Sequence, residues 1–423
     1  MGGRLLASKG LDVKAKILIV GGGAMGTCTA MQSARRCDPL REPVVLLEKD
    51  RLGAGSSGRS SAILHQAYGE RKLAGMSRDA LKTYSGIKST SGRSVGYRKT
   101  GALILAGAND SEMAQRLEAE VLMHKDLGIA SSVVNAEEIR SIVPGIEVAN
   151  NEVGAWQPEG GFVDPARAIM SFATLARSYG ASTRIGIEEP KILVDNGKIA
   201  GVETSAGTFE APNVVVTAGP WTPKILAELG VDLPLSVVQT EECFLRMPNP
   251  ELTDDDEEDR ELGHADMETR FLPDPLDAMP VAHPVIVDLP NEVLMRCEPG
   301  SGRTRIERLS ADFIELAHPD ELRKEVTSGL QDWIRDQVVR RLPVYEAEES
   351  LGCQTSWTTL TPDRRPLAGP IDAIPGLYAV AGTTGNDFRL APSIGEGLSQ
   401  MILGQPVSAF DPEFFSPGRF QSP

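Results

Sequence analysis

A chain of 423 residues, 41% hydrophobic and 24% charged, is long enough for two domains with substantial cores and has the composition of an ordinary globular protein. Its net charge of −16 argues against nucleic acid or an anionic membrane surface as partner, and no apolar run approaches the roughly 20 residues that span a bilayer. Cys28, Cys37, Cys243, Cys297 and Cys353 are odd in number and lack a C-x-x-C pair, and the five histidines lack metal-ligand spacing, so neither a disulfide framework nor a zinc site is expected, and a reducing compartment is.

Residues 1–16 are mildly basic without the apolar core of a secretory signal, which points to the cytoplasm and leaves organelle targeting open. The first element is Ile17 to Val20, a short apolar β-branched run of the kind buried on both faces of a parallel sheet. Gly21, Gly23 and Gly26 follow as G-x-G-x-x-G, where the glycines permit a tight turn, approach of backbone to a pyrophosphate, and close packing of the next helix. That helix is expected over Met25 to Arg36, with Ala30 and Ala34 one turn apart on its sheet-facing side and its N-terminal N–H groups aimed at the phosphates. A second buried strand, Val44 to Leu47, ends at Glu48, an acid at the distance of about 20 residues where a dinucleotide's ribose hydroxyls are held. The carboxylate disfavours a 2′-phosphate, leaving FAD or NAD.

Next come Ser56, Ser57, Arg59, Ser60 and Ser61 in a glycine and hydroxyl cluster, a second set of donors for a pyrophosphate. Mixed helix and loop is expected to Lys99, a strand over Gly101 to Ala106, and a helix over Asp110 to Gly128 with Leu117, Val121 and Leu122 buried. Asn135 and Glu138 form a capping box, and Asp164 before Pro165 caps a helix running to Tyr179. Lys191 to Val194 and Lys198 to Thr204 flank Asp195-Asn196-Gly197, a hairpin turn. A strand over Asn213 to Thr217 stops on Ala218 and Gly219, where close approach of a ligand is expected. Longer strands, Val231 to Met247 and Pro284 to Arg296, bracket an acidic run at 254–259 that reads as a solvated loop. The chain closes with a strand, Leu377 to Ala381, a donor-rich turn, Gly382 to Arg389, and a helix, Ile394 to Leu403.

Three stretches together carry a family resemblance: Gly21 to Ala30 with Glu48, the run GSSGRSSAILHQAYGE, and AGTTGNDFRLAPSIGEGLSQ. The chain resembles the FAD-dependent D-amino-acid oxidase superfamily on its sarcosine oxidase branch, including sarcosine oxidase beta subunits and dye-linked proline and dimethylglycine dehydrogenases. The likeness covers most of the chain and thins between about Leu252 and Val285. It implies an α/β fold, with a Rossmann-like FAD-binding domain of the glutathione-reductase type (1–90, 155–222 and 354–423) and an inserted α+β substrate domain on an antiparallel sheet (91–154 and 223–353).

The resemblance also implies site residues. Gly21, Gly23, Ala24, Met25 and Gly26 would hold the pyrophosphate, and Glu48 with Lys49 the adenosine ribose. Ser56, Ser57, Gly58, Arg59, Ser60, Ser61 and Ala62 would run along the flavin, and Glu189 would meet adenine. Ala218, Gly219 and Trp221 would lie near the dinucleotide, and Gly382, Thr384, Gly385, Asn386, Asp387 and Phe388 would wrap the pyrimidine side of the isoalloxazine. Arg389 stands where monomeric sarcosine oxidases place a lysine that grips the substrate carboxylate. His65 replaces a second basic residue, with Arg59 and Arg296 as alternative completions of the clamp. No lysine stands in Val293 to Ser310, where direct oxidases carry one over the flavin, and Arg303 or Arg305 is the nearest substitute. Cys353 is three residues from Ser356, the position matching a flavin-tethering cysteine, so FAD is expected to be non-covalent. The implied activity is oxidation of the C–N bond of a small secondary or N-methylated amino acid to an imine, by a dehydrogenase rather than an oxidase. The alternatives are a 2-hydroxy-acid dehydrogenase and a non-catalytic flavin-fold subunit of a larger complex. The partners are the amino-acid substrate and, as electron acceptor, another protein or a quinone.

Overall fold

The computed structural model describes residues 13–92, 94–188, 190–248, 279–309 and 313–420. Ile17–Val20 is fully buried and pairs in parallel with Val44–Glu48 on one side and Val214–Val216 on the other. These strands are the centre of a six-stranded sheet that Leu377–Ala381 and Ser182–Ile185 extend in parallel and Leu367–Pro370 closes as an antiparallel edge. Alternation splits the apolar run between two cores. Ile17, Ile19, Val44 and Leu46 face a layer of helices, whereas Leu18, Val20, Val45 and Leu47 face the opposite layer. Each such side chain, fully buried, contributes about 1.5–3 kcal/mol.

The helix Ala24–Ala34 is buried along its whole length, between the helices Asp387–Ile402 and Pro165–Ser178. Its small residues make that possible: a Cβ on Gly395 of the C-terminal helix would sit 3.0 Å from the backbone of Cys28 and Thr29. The second layer of the molecule is a nine-stranded sheet containing Ala102–Ala108, Glu152–Gln157, Ser236–Arg246, Val293–Glu298, Arg303–Arg308 and Ser350–Leu360. The strands Glu152–Gln157 and Ser350–Leu360 lie wholly in it, so the boundaries expected at 155 and 354 fall inside strands.

The hairpin at Asp195 to Gly197, the capping box on Asn135 and the Asp164 cap form as expected. Other expectations are corrected. The nine-stranded sheet is mixed, because Ala102–Ala108 pairs in parallel with Val285–Asp288. Pro284 to Arg296 is a hairpin of Val285–Asp288 and Val293–Glu298, turned where Asp288 accepts from the Asn291 amide. Leu122 is 64% exposed, because Ala114, Leu117, Val121 and His124 make the buried stripe of the helix Glu112–Asp126 and Leu122 is rotated off it. The expected mixture before Lys99 contains a 21-residue helix, Arg71–Ser91, closed by Gly92 at φ +69°. The C-terminal helix begins at Asp387, seven residues before Ile394, and carries Pro392 within it. Cys243 and Cys353 face each other on antiparallel neighbours and are joined by a disulfide, contrary to the expectation of none. Glu189 and the acidic run at 254–259 lie outside the described residues.

Candidate active site

A cavity of about 1430 Å³ opens between the carboxyl ends of the parallel strands and the nine-stranded sheet. Its floor is the glycine turn. Gly21 has φ +111°, and a Cβ there would sit 2.5 Å from the Thr217 carbonyl oxygen; at Gly26 it would sit 1.8 Å from the Gly21 oxygen. Backbone must therefore line this end of the cavity. The Ala24 N–H, at the helix start, donates to Ser57 Oγ at 3.1 Å, and the Gly22 N–H to Glu48 Oε2 at 2.7 Å. Glu48 Oε1 accepts from the Asp50 N–H at 2.9 Å, so both carboxylate oxygens are oriented and keep acceptor capacity for a diol.

The wall between the glycine turn and the second sheet is the short turn Ser56–Arg59 and its continuation to Ala62, which has φ +47°. Two buried arginines of the nine-stranded sheet hold it. Arg305 Nη1 donates to the Arg59 carbonyl at 2.7 Å, and Arg296 Nη1 to the Ser61 carbonyl at 2.5 Å. Arg305 is also bonded to both oxygens of Glu242, at 2.6 and 2.7 Å, and to Glu298 at 2.7 Å. Burial pushes the Glu298 carboxyl up, but Arg305, Arg296 and Arg303 outweigh it and hold it at about 2. Burial pulls Arg296 down to about 10. Neither arginine stands among the lining residues, and both brace the 59–61 backbone.

Gly21, Gly23, Met25, Glu48, Lys49, Ser56, Ser57, Arg59, Ser60, Ser61, Ala218, Gly219, Trp221, Thr384, Gly385, Asp387 and Arg389 line the cavity. Ala24, Gly26, Gly58, Ala62, Gly382, Asn386, Phe388 and His65 stand behind that lining. Arg59 is spoken for: it donates to the Thr355 carbonyl at 3.0 Å and stacks on Trp357. Trp357 in turn meets Trp221 with centroids 5.4 Å apart, and Lys49 Nζ lies 3.8 Å from the Trp221 centroid. Sequence reading missed Trp357 and the Glu242 and Glu298 supports; a tryptophan one residue past Ser356 was the available signal.

Arg389 comes from the first turn of the C-terminal helix. It contacts His65 through Nη1, donates through Nη2 to Asn386 Oδ1 at 2.5 Å, and lies 5.2 Å from the Tyr68 ring centroid. Asn386 Oδ1 also accepts from the Tyr68 hydroxyl at 3.0 Å. Burial, then Arg389, then His124 push His65 well below its ordinary value, so the imidazole is neutral. Among the described residues no carboxylate lies within ion-pair distance of Arg389. A cation at the cavity wall with neutral partners is a site for an anion.

The residues fit a dinucleotide. The cavity exceeds the roughly 300–1,000 Å³ of ordinary small-molecule sites, the glycine turn admits no side chain, Ser56 Oγ is buried there without a partner, and Glu48 is oriented for a ribose. No cysteine stands among the lining residues.

Comparison with known proteins agrees. A family model described as "FAD dependent oxidoreductase" (DAO) matches residues 16–401. The chain is 26% identical over 409 residues to the mitochondrial pyruvate dehydrogenase phosphatase regulatory subunit of Mus musculus, covering 94% of this chain and 42% of that protein. It is 24% identical over 417 residues to the peroxisomal sarcosine oxidase of Mus musculus, covering 96% of each. The crystal structure of L-proline dehydrogenase from P. horikoshii shares its fold, with a TM-score of 0.81 at 21% identity over 97% of this chain and 99% of that one. Matches to several curated relatives span only about half of those proteins, between 42% and 56% of their length.

Proposed function

Because the chain belongs to the FAD dependent oxidoreductase family, we propose that it oxidises the C–N bond of a small secondary or N-methylated amino acid, with Arg389 holding the substrate carboxylate. The observation that carries this reading is the guanidinium of Arg389 at the cavity wall, with His65 and Asn386 as neutral partners and no carboxylate within ion-pair distance among the described residues. A carboxylate supplies the missing charge and can accept two bonds from one guanidinium. The sarcosine oxidase and proline dehydrogenase named above have amino-acid substrates by their names, which supports the same class.

FAD, when bound, accepts the hydride that leaves the carbon next to nitrogen. The residues of the chain supply position. Gly21 to Ala24 offer backbone N–H groups at a helix start for the pyrophosphate, Glu48 faces the ribose, and the 56–62 wall is fixed by Arg296 and Arg305. Arg389 anchors the carboxylate and so sets the reacting carbon against the cofactor. The amine reacts as the free base, its nitrogen lone pair forming C=N as the C–H bond breaks; water then hydrolyses the imine.

A substrate panel tests this: purified holoprotein, amino acids, their decarboxylated amines and 2-hydroxy acids, with an artificial electron acceptor. Turnover confined to amino acids is expected; turnover confined to 2-hydroxy acids would move the same anchor to a different bond. A second reading is a non-catalytic subunit, which the name of the regulatory-subunit relative favours. It requires that none of these compounds bleach the flavin under anaerobic conditions.

A further inference from the structure

Asp387 lies in the first turn of the C-terminal helix and lines the cavity beside Thr383 and Ser57. One carboxyl oxygen, Oδ1, is buried without a hydrogen-bond partner, and Ser57 and Thr383 stand close enough to the carboxyl group to lower its pKa. Ser57 accepts from the Ala24 N–H, so it stands between the start of the helix after the glycine turn and Asp387. The carboxyl group therefore lines the cavity near the start of that helix. An ionised Oδ1 there would be a buried charge without a donor, in a cavity that takes an anionic cofactor. A proton on Oδ1 removes both costs and turns the atom into a donor.

We infer that Asp387 acts as a neutral carboxylic acid that donates a hydrogen bond from Oδ1 to an oxygen of the bound dinucleotide, so that FAD is held more tightly at acidic than at alkaline pH. The inference rests on FAD occupying the cavity and is independent of which substrate the protein oxidises. Burial raises the Asp387 carboxyl above its ordinary value, against the lowering effect of Thr383, Ser57 and Arg389. The sign follows. A cofactor that binds only the acid form raises this value further, so affinity is full below the free protein's value and falls tenfold per pH unit above it, until the value in the complex is reached. The other titratable groups packed here do not change charge in the same range. Tyr84 and Cys28 are pushed up by burial and stay neutral, and His65 is pushed down and stays neutral; an arginine guanidinium does not deprotonate in a protein.

The test is FAD release on dilution of the full-length holoprotein, followed by the fluorescence of freed flavin between about pH 5 and about pH 8, with thermal unfolding recorded at each pH. Wild type is expected to lose at least tenfold in affinity across that range. Asp387→Asn, a neutral isostere that keeps an N–H donor, is expected to hold FAD as wild type does at the acidic end and to show no pH dependence. Asp387→Ala is expected to be weak and flat. A flat wild-type profile, or a profile in Asp387→Asn as steep as wild type, overturns the inference. A protein that carries no flavin at any pH refutes instead the assignment of the cavity to FAD.

Discussion

At the scale of single residues, Glu48 and Arg389 both line the cavity and do different work. Glu48 bonds the Gly22 and Asp50 N–H groups, so its removal loosens the glycine turn as well as the proposed ribose contact. Glu48→Ala should weaken FAD retention by about tenfold or more, the loss of one charge-assisted bond of roughly 1.5–3 kcal/mol. Glu48→Gln should lose less, since one acceptor oxygen remains; equal flavin content in all three proteins would remove the ribose role. Glu48 was legible because strand, turn, helix, strand and acid follow one another in fixed order within about 30 residues. The partners of Arg389 were not legible as a set. Tyr68 and His65 lie more than 300 residues before Asn386 and Arg389 in the chain, and only the packing of the helix Arg71–Ser91 against the C-terminal helix brings them together.

At the scale of elements, the wall from Ser56 to Ala62 depends on two strands of the other sheet through Arg296 and Arg305, and those arginines depend on Glu298. Glu298 has its carboxyl lowered from 4.5 to about 2, which corresponds to roughly 3 kcal/mol of stability. The group is depressed, so this stability is present above about pH 4.5 and is lost as pH falls towards about 2. Glu298→Gln should therefore be destabilised at neutral pH, with the gap to wild type closing in acid; a gap of the same size at both ends would show that the ion pairs contribute nothing. The same two strands, Val293–Glu298 and Arg303–Arg308, contain no lysine, and the lysines that line the cavity, Lys49, Lys191, Lys224 and Lys324, are all exposed. Reoxidation of the reduced protein by oxygen is expected to be slow relative to a dye, and fast saturating reoxidation in stopped flow would contradict this. Elements with strong local chemistry, such as the Asp195 to Gly197 hairpin and the Asn135 box, were readable from residues; the helix start at Asp387 was not, because Pro392 reads as a break and tertiary packing overrides it.

At the scale of the molecule, two large sheets contribute to the cavity, and each alternates its apolar residues between two cores. Four strands of the first sheet, Ile17–Val20, Val44–Glu48, Val214–Val216 and Leu377–Ala381, were legible because they are short and apolar; its outer strands Ser182–Ile185 and Leu367–Pro370 were not. The second sheet was less so: Ala102–Ala108 pairs with Val285–Asp288, a partner that no local pattern specifies. The Cys243 to Cys353 disulfide was hidden for the same reason, since only the register of two strands 110 residues apart places those cysteines together. That pairing also leaves Cys353 unavailable for a bond to flavin, and FAD should leave the protein on acid precipitation; a yellow pellet would contradict a non-covalent cofactor. The most direct measurement is the specificity constant for an N-methylated amino acid and for its decarboxylated amine, in wild type and in Arg389→Ala. Loss of the carboxylate contact predicts a fall of about one to two powers of ten in kcat/KM for the amino acid, little change for the already poor amine, and partial recovery in Arg389→Lys. If Arg389→Ala keeps the wild-type kcat/KM for the amino acid, the carboxylate is held elsewhere and the proposed site is wrong.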